Sequence, residues 1–164
     1  MAMEEKAYLI VTNNEQIRDT YRGHPLLGVE YLEGQSFLDV LVCVRDHVHQ
    51  GWKLLTHPQA SNLKPMQSPV KSVLITSAGG VQPRENDIEM IEGAIAGYQK
   101  FSRGKTLPVW PDTVRWDFCT IDRSVLESAI NSPGLQNLMR SGQCPGCRRR
   151  KAVSGGVFIE IGIR

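Results

Sequence analysis

Three short apolar runs in this chain of 164 residues end abruptly in clusters of hydrogen-bonding groups. Tyr8-Leu9-Ile10-Val11 gives way to Thr12-Asn13-Asn14, Leu54-Leu55 to Thr56-His57-Pro58, and Val73-Leu74-Ile75 to Thr76-Ser77-Ala78-Gly79-Gly80. Apolar runs of this length, rich in β-branched residues, read as buried strands. A strand that exits into polar residues delivers them to one edge of a sheet, and in layered α/β proteins that edge is where ligands bind. The three exits predict one composite pocket.

Helical spacing fills much of the chain between the runs. Residues 14–22 can hold a short helix closed by Gly23 and Pro25. Ser36 with Asp39 three residues on forms a capping box. Behind it Phe37, Leu41, Val44 and Val48 recur on one face until Gly51 stops the helix. After Pro83, residues Ile88, Ile91, Ile95 and Tyr98 share a face, with Asn86 or Asp87 as the cap. Further strands are expected at 29–32, 52–56, 72–76 and 116–121. Asp122 can cap a helix with Val125, Leu126, Ala129 and Ile130 on its apolar face, and Ser132-Pro133 can open one more. Pro58, Pro65 and Pro69 exclude a helix between the third and fourth strands, and so long a loop in a compact domain points to function.

The alternation predicts a single layered α/β domain over residues 1–143, with a mostly parallel sheet of about five to six strands flanked by helices. Residues 144–164 read as a tail carrying Cys144-Pro145-Gly146-Cys147, the basic run Arg148-Arg149-Arg150-Lys151, and an alternating edge strand (Val157, Ile159, Ile161, Ile163) of the same domain. Such an edge could pair with a second copy to make a homodimer.

Net charge narrows the partners. At +2 the chain lacks the concentrated Lys and Arg that phosphate backbones require, and the short basic run reads as solvated surface, so nucleic acid is not expected. No apolar stretch is long enough to cross a bilayer, and the acidic, polar N-terminus is wrong for a secretory signal, so membrane association is not expected and a cytoplasmic location is. Cysteines there stay reduced.

His57 is the leading candidate for chemistry. Histidine is the residue type that exchanges protons most readily in cells, and Pro58 stiffens the turn that would hold this one at the sheet edge. It either acts on a ligand, as hydrogen-bond donor or general acid/base, or fixes the shape of its own loop. Ser61 and Lys64 in the same loop offer a hydroxyl and an ammonium suited to a carboxylate or phosphate. Lys71 reads instead as a surface lysine. Asn13 and Asn14 serve either ligand binding or a tight turn. Asn13, Asn14, Thr56, His57, Ser61 and Lys64 together form the expected binding set, and a small anionic molecule is its expected ligand. No nucleophile is visibly paired with His57, so binding is favoured over catalysis. Gly79-Gly80 fits neither a Walker loop nor a dinucleotide fingerprint, and no cofactor is expected.

Metal ligation has two weaker signals. Cys43 and His47 are four apart on the helix that follows Ser36, as are Arg45 and His49, yet no acidic or third ligand sits at matched spacing. Cys43 therefore reads as core and the histidines as surface. Cys144 and Cys147 have the spacing of a redox disulfide or half a zinc site, but only Cys119 could add a third sulfur. The alternative is a turn carrying two ordinary thiols, and no metal is expected.

Ile10-Val11-Thr12-Asn13-Asn14, Asp39-Val40-Leu41 with Val44-Arg45-Asp46 and His49, and Leu54-Leu55-Thr56-His57-Pro58 with Ser61, Lys64-Pro65 and Lys71-Ser72 together carry a family likeness. In these motifs the chain resembles the GrdX family, small proteins encoded among glycine reductase genes in amino-acid-fermenting anaerobes. Thr-His-Pro followed by Lys-Pro is the most specific part. Glu15, Gln59-Ala60 and Asn62 depart from the family pattern, and the two tail cysteines lie outside it. The resemblance implies an accessory or regulatory role around glycine, sarcosine or betaine reduction, with reductase components as partners. It implies context, not mechanism.

Overall fold

The computed structural model describes residues 6–60, 67–78 and 85–141. Its elements run β1 (Tyr8–Thr12), α1 (Glu15–Tyr21), β2 (Leu27–Tyr31), α2 (Phe37–His49), β3 (Lys53–Leu54), β4 (Ser72–Thr76), α3 (Glu85–Ser102), α4 (Asp112–Ile130) and α5 (Pro133–Ser141). Among the described residues no helix is long and apolar enough to cross a membrane.

A mixed sheet in the order β2-β1-β4-β3 forms the middle layer. β1 and β2 are parallel, with Tyr8 opposite Leu27 and Thr12 opposite Tyr31. β4 runs the other way between β1 and β3, with Thr12 opposite Ser72 and Lys53 opposite Thr76. The expectation of a mostly parallel sheet is thus corrected, and the described residues hold four strands. The reason is the link between β3 and β4. A parallel return needs a crossover, usually a helix, whereas a chain that turns back at the same edge must pair antiparallel. The strand proposed at 157–163 and the 144–164 tail lie outside the described residues.

Side-chain alternation along the two central strands divides the core. Val11, Val73 and Ile75 face α2 and α3, where they meet Val40, Leu41, Val44, Val48, Ile91 and Ile95. Tyr8, Ile10 and Leu74 face the opposite layer and meet Ile17 of α1, Leu126 and Ile130 of α4, and Met139 of α5. Both faces of β4 are covered, and all five of its residues are buried.

α2 forms where the capping box predicts. Ser36 Oγ accepts from Asp39 N at 3.2 Å while Asp39 Oδ2 accepts from Ser36 N at 2.8 Å. Gln50 is the C-cap, and Gly51 follows at φ 108°, a backbone conformation that glycine adopts without a Cβ clash. Ser36→Ala should lower stability by about 1 kcal/mol in urea unfolding, since it strips one end of the box. The helices at 14–22 and after Ser132 also form, as α1 and α5.

Two assignments change. Residues 116–121, expected to form a strand, belong to α4. Trp116 and Ile121 are 55% and 40% exposed, while Cys119, Asp122, Leu126 and Ile130 make the buried helical face. Asp122 is consequently an interior residue of that helix and not its cap. Asn86 and Asp87 likewise lie within α3. The third strand shrinks from the expected 52–56 to Lys53–Leu54, because Leu55 N and Thr56 N both turn to the one carbonyl of Leu74. Cys43 and Cys119 carry no disulfide.

Candidate functional site

Thr12 closes β1 and Ser72 opens the antiparallel β4 beside it, and on the α4 side of the sheet their side chains point at the same place. Their hydroxyls meet at 2.6 Å. Ser72 Oγ donates to Asp122 Oδ2 at 2.6 Å, Ser72 N donates to Oδ1 at 3.2 Å, and Asn14 Nδ2 donates to Oδ2 at 2.9 Å. With the Ser72 proton committed to the carboxylate, Thr12 must donate to Ser72, while Thr12 Oγ1 accepts from Asn14 N at 2.9 Å. The result is a directed chain of hydrogen bonds ending on a buried carboxylate. Asp122 is only 4% exposed.

The chain beyond β3 walls the other side. Thr56 Oγ1 accepts from Leu74 N at 2.9 Å, and His57 Nδ1 accepts from Gln59 N at 3.0 Å. Accepting at Nδ1 puts the proton of the neutral ring on Nε2. His57 is exposed while Pro58 is buried, so the imidazole stands on the rim of an anchored turn. Between this turn and α4 lies a cavity of about 260 Å³. Thr56, His57, Ser72 and Asp122 supply its polar groups, and Leu55, Val125, Leu126 and Ala129 supply apolar wall.

Of the residues expected from sequence, the structure brings Thr56 and His57 into this cavity. The expectation that all three polar exits share one pocket is corrected: β4 is antiparallel, so its exit at Thr76 lies opposite Tyr8 and Lys53, at the far edge of the sheet. Asn14 stands behind it. Its Oδ1 caps α1 by accepting from Gln16 N at 3.0 Å, and its Nδ2 also reaches Cys119 O at 2.9 Å. Asn13 is at the same sheet edge, but its amide is taken up by Gln35 O, Pro69 O and Lys71 N at 2.8–3.0 Å. Ser61 and Lys64 lie outside the described residues, as do Cys144 and Cys147.

Lys71 corrects an expectation. It is fully buried, on the α2 side of the sheet. Its Nζ donates to Ala60 O and lies 5.7 Å from the Phe37 ring centroid. Burial pushes the ammonium down to about 8, with Asp122 pulling partly the other way. One lysine thus pins the start of the loop from the opposite face.

Sequence reasoning missed Ser72 and Asp122. The signal was present: Asp122 follows Cys119 by three and precedes Leu126 by four, which places a carboxylate on the apolar stripe of a helix. Such a residue must find partners or a ligand, because burying an unpaired charge is expensive.

No solved structure and no curated protein matches the chain. The family model of GrdX-like proteins matches residues 9–131, which include β1 from Leu9 onward, the Thr56-His57 turn, β4, Asp122 and helices α1 to α4. The chain is a member of the GrdX-like protein family.

Proposed function

We propose that this protein is an accessory or regulatory component of glycine reductase-type systems and binds a small amino-acid-like metabolite between the His57 turn and α4. Membership of the GrdX-like family supports the context. The observation that carries the ligand is that Asp122 and His57 line the same cavity, the neutral imidazole keeping its proton on Nε2 because Nδ1 accepts from Gln59 N. A ligand with a carboxylate for the imidazole and an ammonium for the aspartate satisfies both. A bare phosphate would face the aspartate with like charge. About 260 Å³ falls below the roughly 300–1,000 Å³ of drug-sized pockets, which favours a ligand of few heavy atoms.

Thermal unfolding with glycine, sarcosine, betaine, acetate and phosphate at millimolar concentration tests this. A ligand present at about 100 times its Kd adds about 2.7 kcal/mol to stability. Glycine or sarcosine should stabilise the protein more than acetate or phosphate does, and His57→Ala should weaken that response. No response to any compound, or equal responses from both proteins, would remove the ligand reading.

A further inference from the structure

Glu30, Cys43 and His47 come from two elements and converge on one point. Cys43 and His47 are one helical turn apart on α2, and Glu30 reaches them from β2, the edge strand beyond β1. Glu30 Oε1 lies 3.3 Å from Cys43 Sγ, and Glu30 Oε2 lies 2.6 Å from His47 Nε2. All three donor atoms lie within 4.8 Å of one another. The third ligand that spacing alone could not supply is thus delivered by the sheet.

We propose that these three side chains form an exchangeable binding site for a divalent transition metal of the zinc type. A thiolate, an imidazole and a carboxylate are the three donor classes that Zn²⁺ accepts. Bond lengths of about 2.0–2.3 Å in a tetrahedron hold ligand atoms roughly 3–4 Å apart, close to the spacing already present. On binding, the Cys43 thiol gives its proton to solvent and the sulfur takes the metal in its place. Three protein donors leave a fourth position for water or a small ligand, the arrangement of reactive zinc centres rather than closed structural ones.

The surroundings fit a metal that comes and goes. The side chains of His47 and Glu30 are 20% and 36% exposed, so solvent ions reach them. The Trp52 ring stands edge-on to His47, with centroids 5.4 Å apart, and fixes one side of the imidazole. His47 Nδ1 is buried without a hydrogen-bond partner among the described residues. Metal-bound histidines usually donate from that nitrogen, and lack of the outer partner costs about 10–100-fold in affinity. Micromolar rather than nanomolar binding follows. This departs from the expectation of a metal-free protein, and it is independent of the cavity beside His57.

The test is titration of the reduced, full-length protein with Co²⁺, followed by Zn²⁺. One Co²⁺ per chain should bind with tetrahedral visible bands and a thiolate-to-cobalt charge-transfer band, both lost when Zn²⁺ displaces it. Cys43→Ser should abolish the charge-transfer band. His47→Gln and Glu30→Gln should each weaken binding by about tenfold or more while circular dichroism shows an intact fold. The Cys144→Ser Cys147→Ser variant should bind as the parent does. A charge-transfer band that survives in Cys43→Ser, or disappears in the tail variant, overturns the assignment. So does the absence of tetrahedral cobalt bands from the parent protein, or undiminished affinity in both His47→Gln and Glu30→Gln.

Discussion

Asp122→Ala is expected to destabilise the protein by about 2–5 kcal/mol, because it leaves Ser72 N buried without its acceptor and takes from Ser72 Oγ and Asn14 Nδ2 one hydrogen bond each. Asp122→Asn keeps the shape and still loses. One carboxylate oxygen serves a backbone N–H and the other an amide N–H, both of which can only donate. Whichever way the new amide turns, its own NH₂ meets an obligate donor. Urea unfolding at neutral pH reads both variants, and a loss below about 1 kcal/mol in each would mean that the carboxylate does not hold the sheet edge to α4.

Lys71→Met is expected to change stability in the opposite direction and with a definite pH dependence. Replacing a buried ammonium by an apolar chain of similar length should stabilise the protein at pH 7, by about 1–3 kcal/mol after loss of the bond to Ala60 O. In the unfolded chain the lysine titrates near 10.5, and in the folded one at about 8. Between those values the unfolded chain holds a proton that the folded chain has released, so the lysine's contribution to stability rises with pH across that window. The gap corresponds to about 3 kcal/mol. Tyrosines and thiols titrate in both proteins, so the difference between parent and variant isolates Lys71. The methionine variant's advantage should shrink above pH 8 and vanish near pH 10.5. An advantage that stays constant across the range would refute the account.

Much of the architecture was legible in the sequence wherever local and tertiary demands agree. α2 announces itself through its cap, its apolar stripe and its terminal glycine, and β4 through a run too apolar to face water on either side. Strand direction was misread because alternating helices and strands suggest crossovers, while the three prolines of the β3–β4 link already argued against one. The start of α4 was misread because Trp116, Phe118 and Ile121 have strand-like side chains, and composition does not reveal which face they take. At the candidate site, residues adjacent in sequence were visible and residues adjacent only in space were not. Thr56 and His57 lie just beyond the short β3, whereas Asp122 arrives from a helix 50 residues beyond Ser72. Glu30 escaped notice for the same reason, since helical spacing says nothing of what an edge strand offers the next helix.

The meeting of Asn14, Ser72 and Asp122 also orders events during synthesis. The chain leaves the ribosome from its N-terminus, and early segments begin to fold before late ones exist. β1 can pair with β2 almost at once and with β4 once residue 76 is clear. At that stage Ser72 N and the Asn14 amide still face water, because their acceptor has not been made. The α4 face of the nascent sheet, with Ile10 and Leu74, is covered only by Ile17 and Tyr21 of α1 until Leu126 and Ile130 emerge behind Asp122. A chain arrested shortly before residue 122 therefore presents a half-covered sheet, the kind of surface that chaperones bind, and the cover is complete only once Met139 of α5 has followed α4.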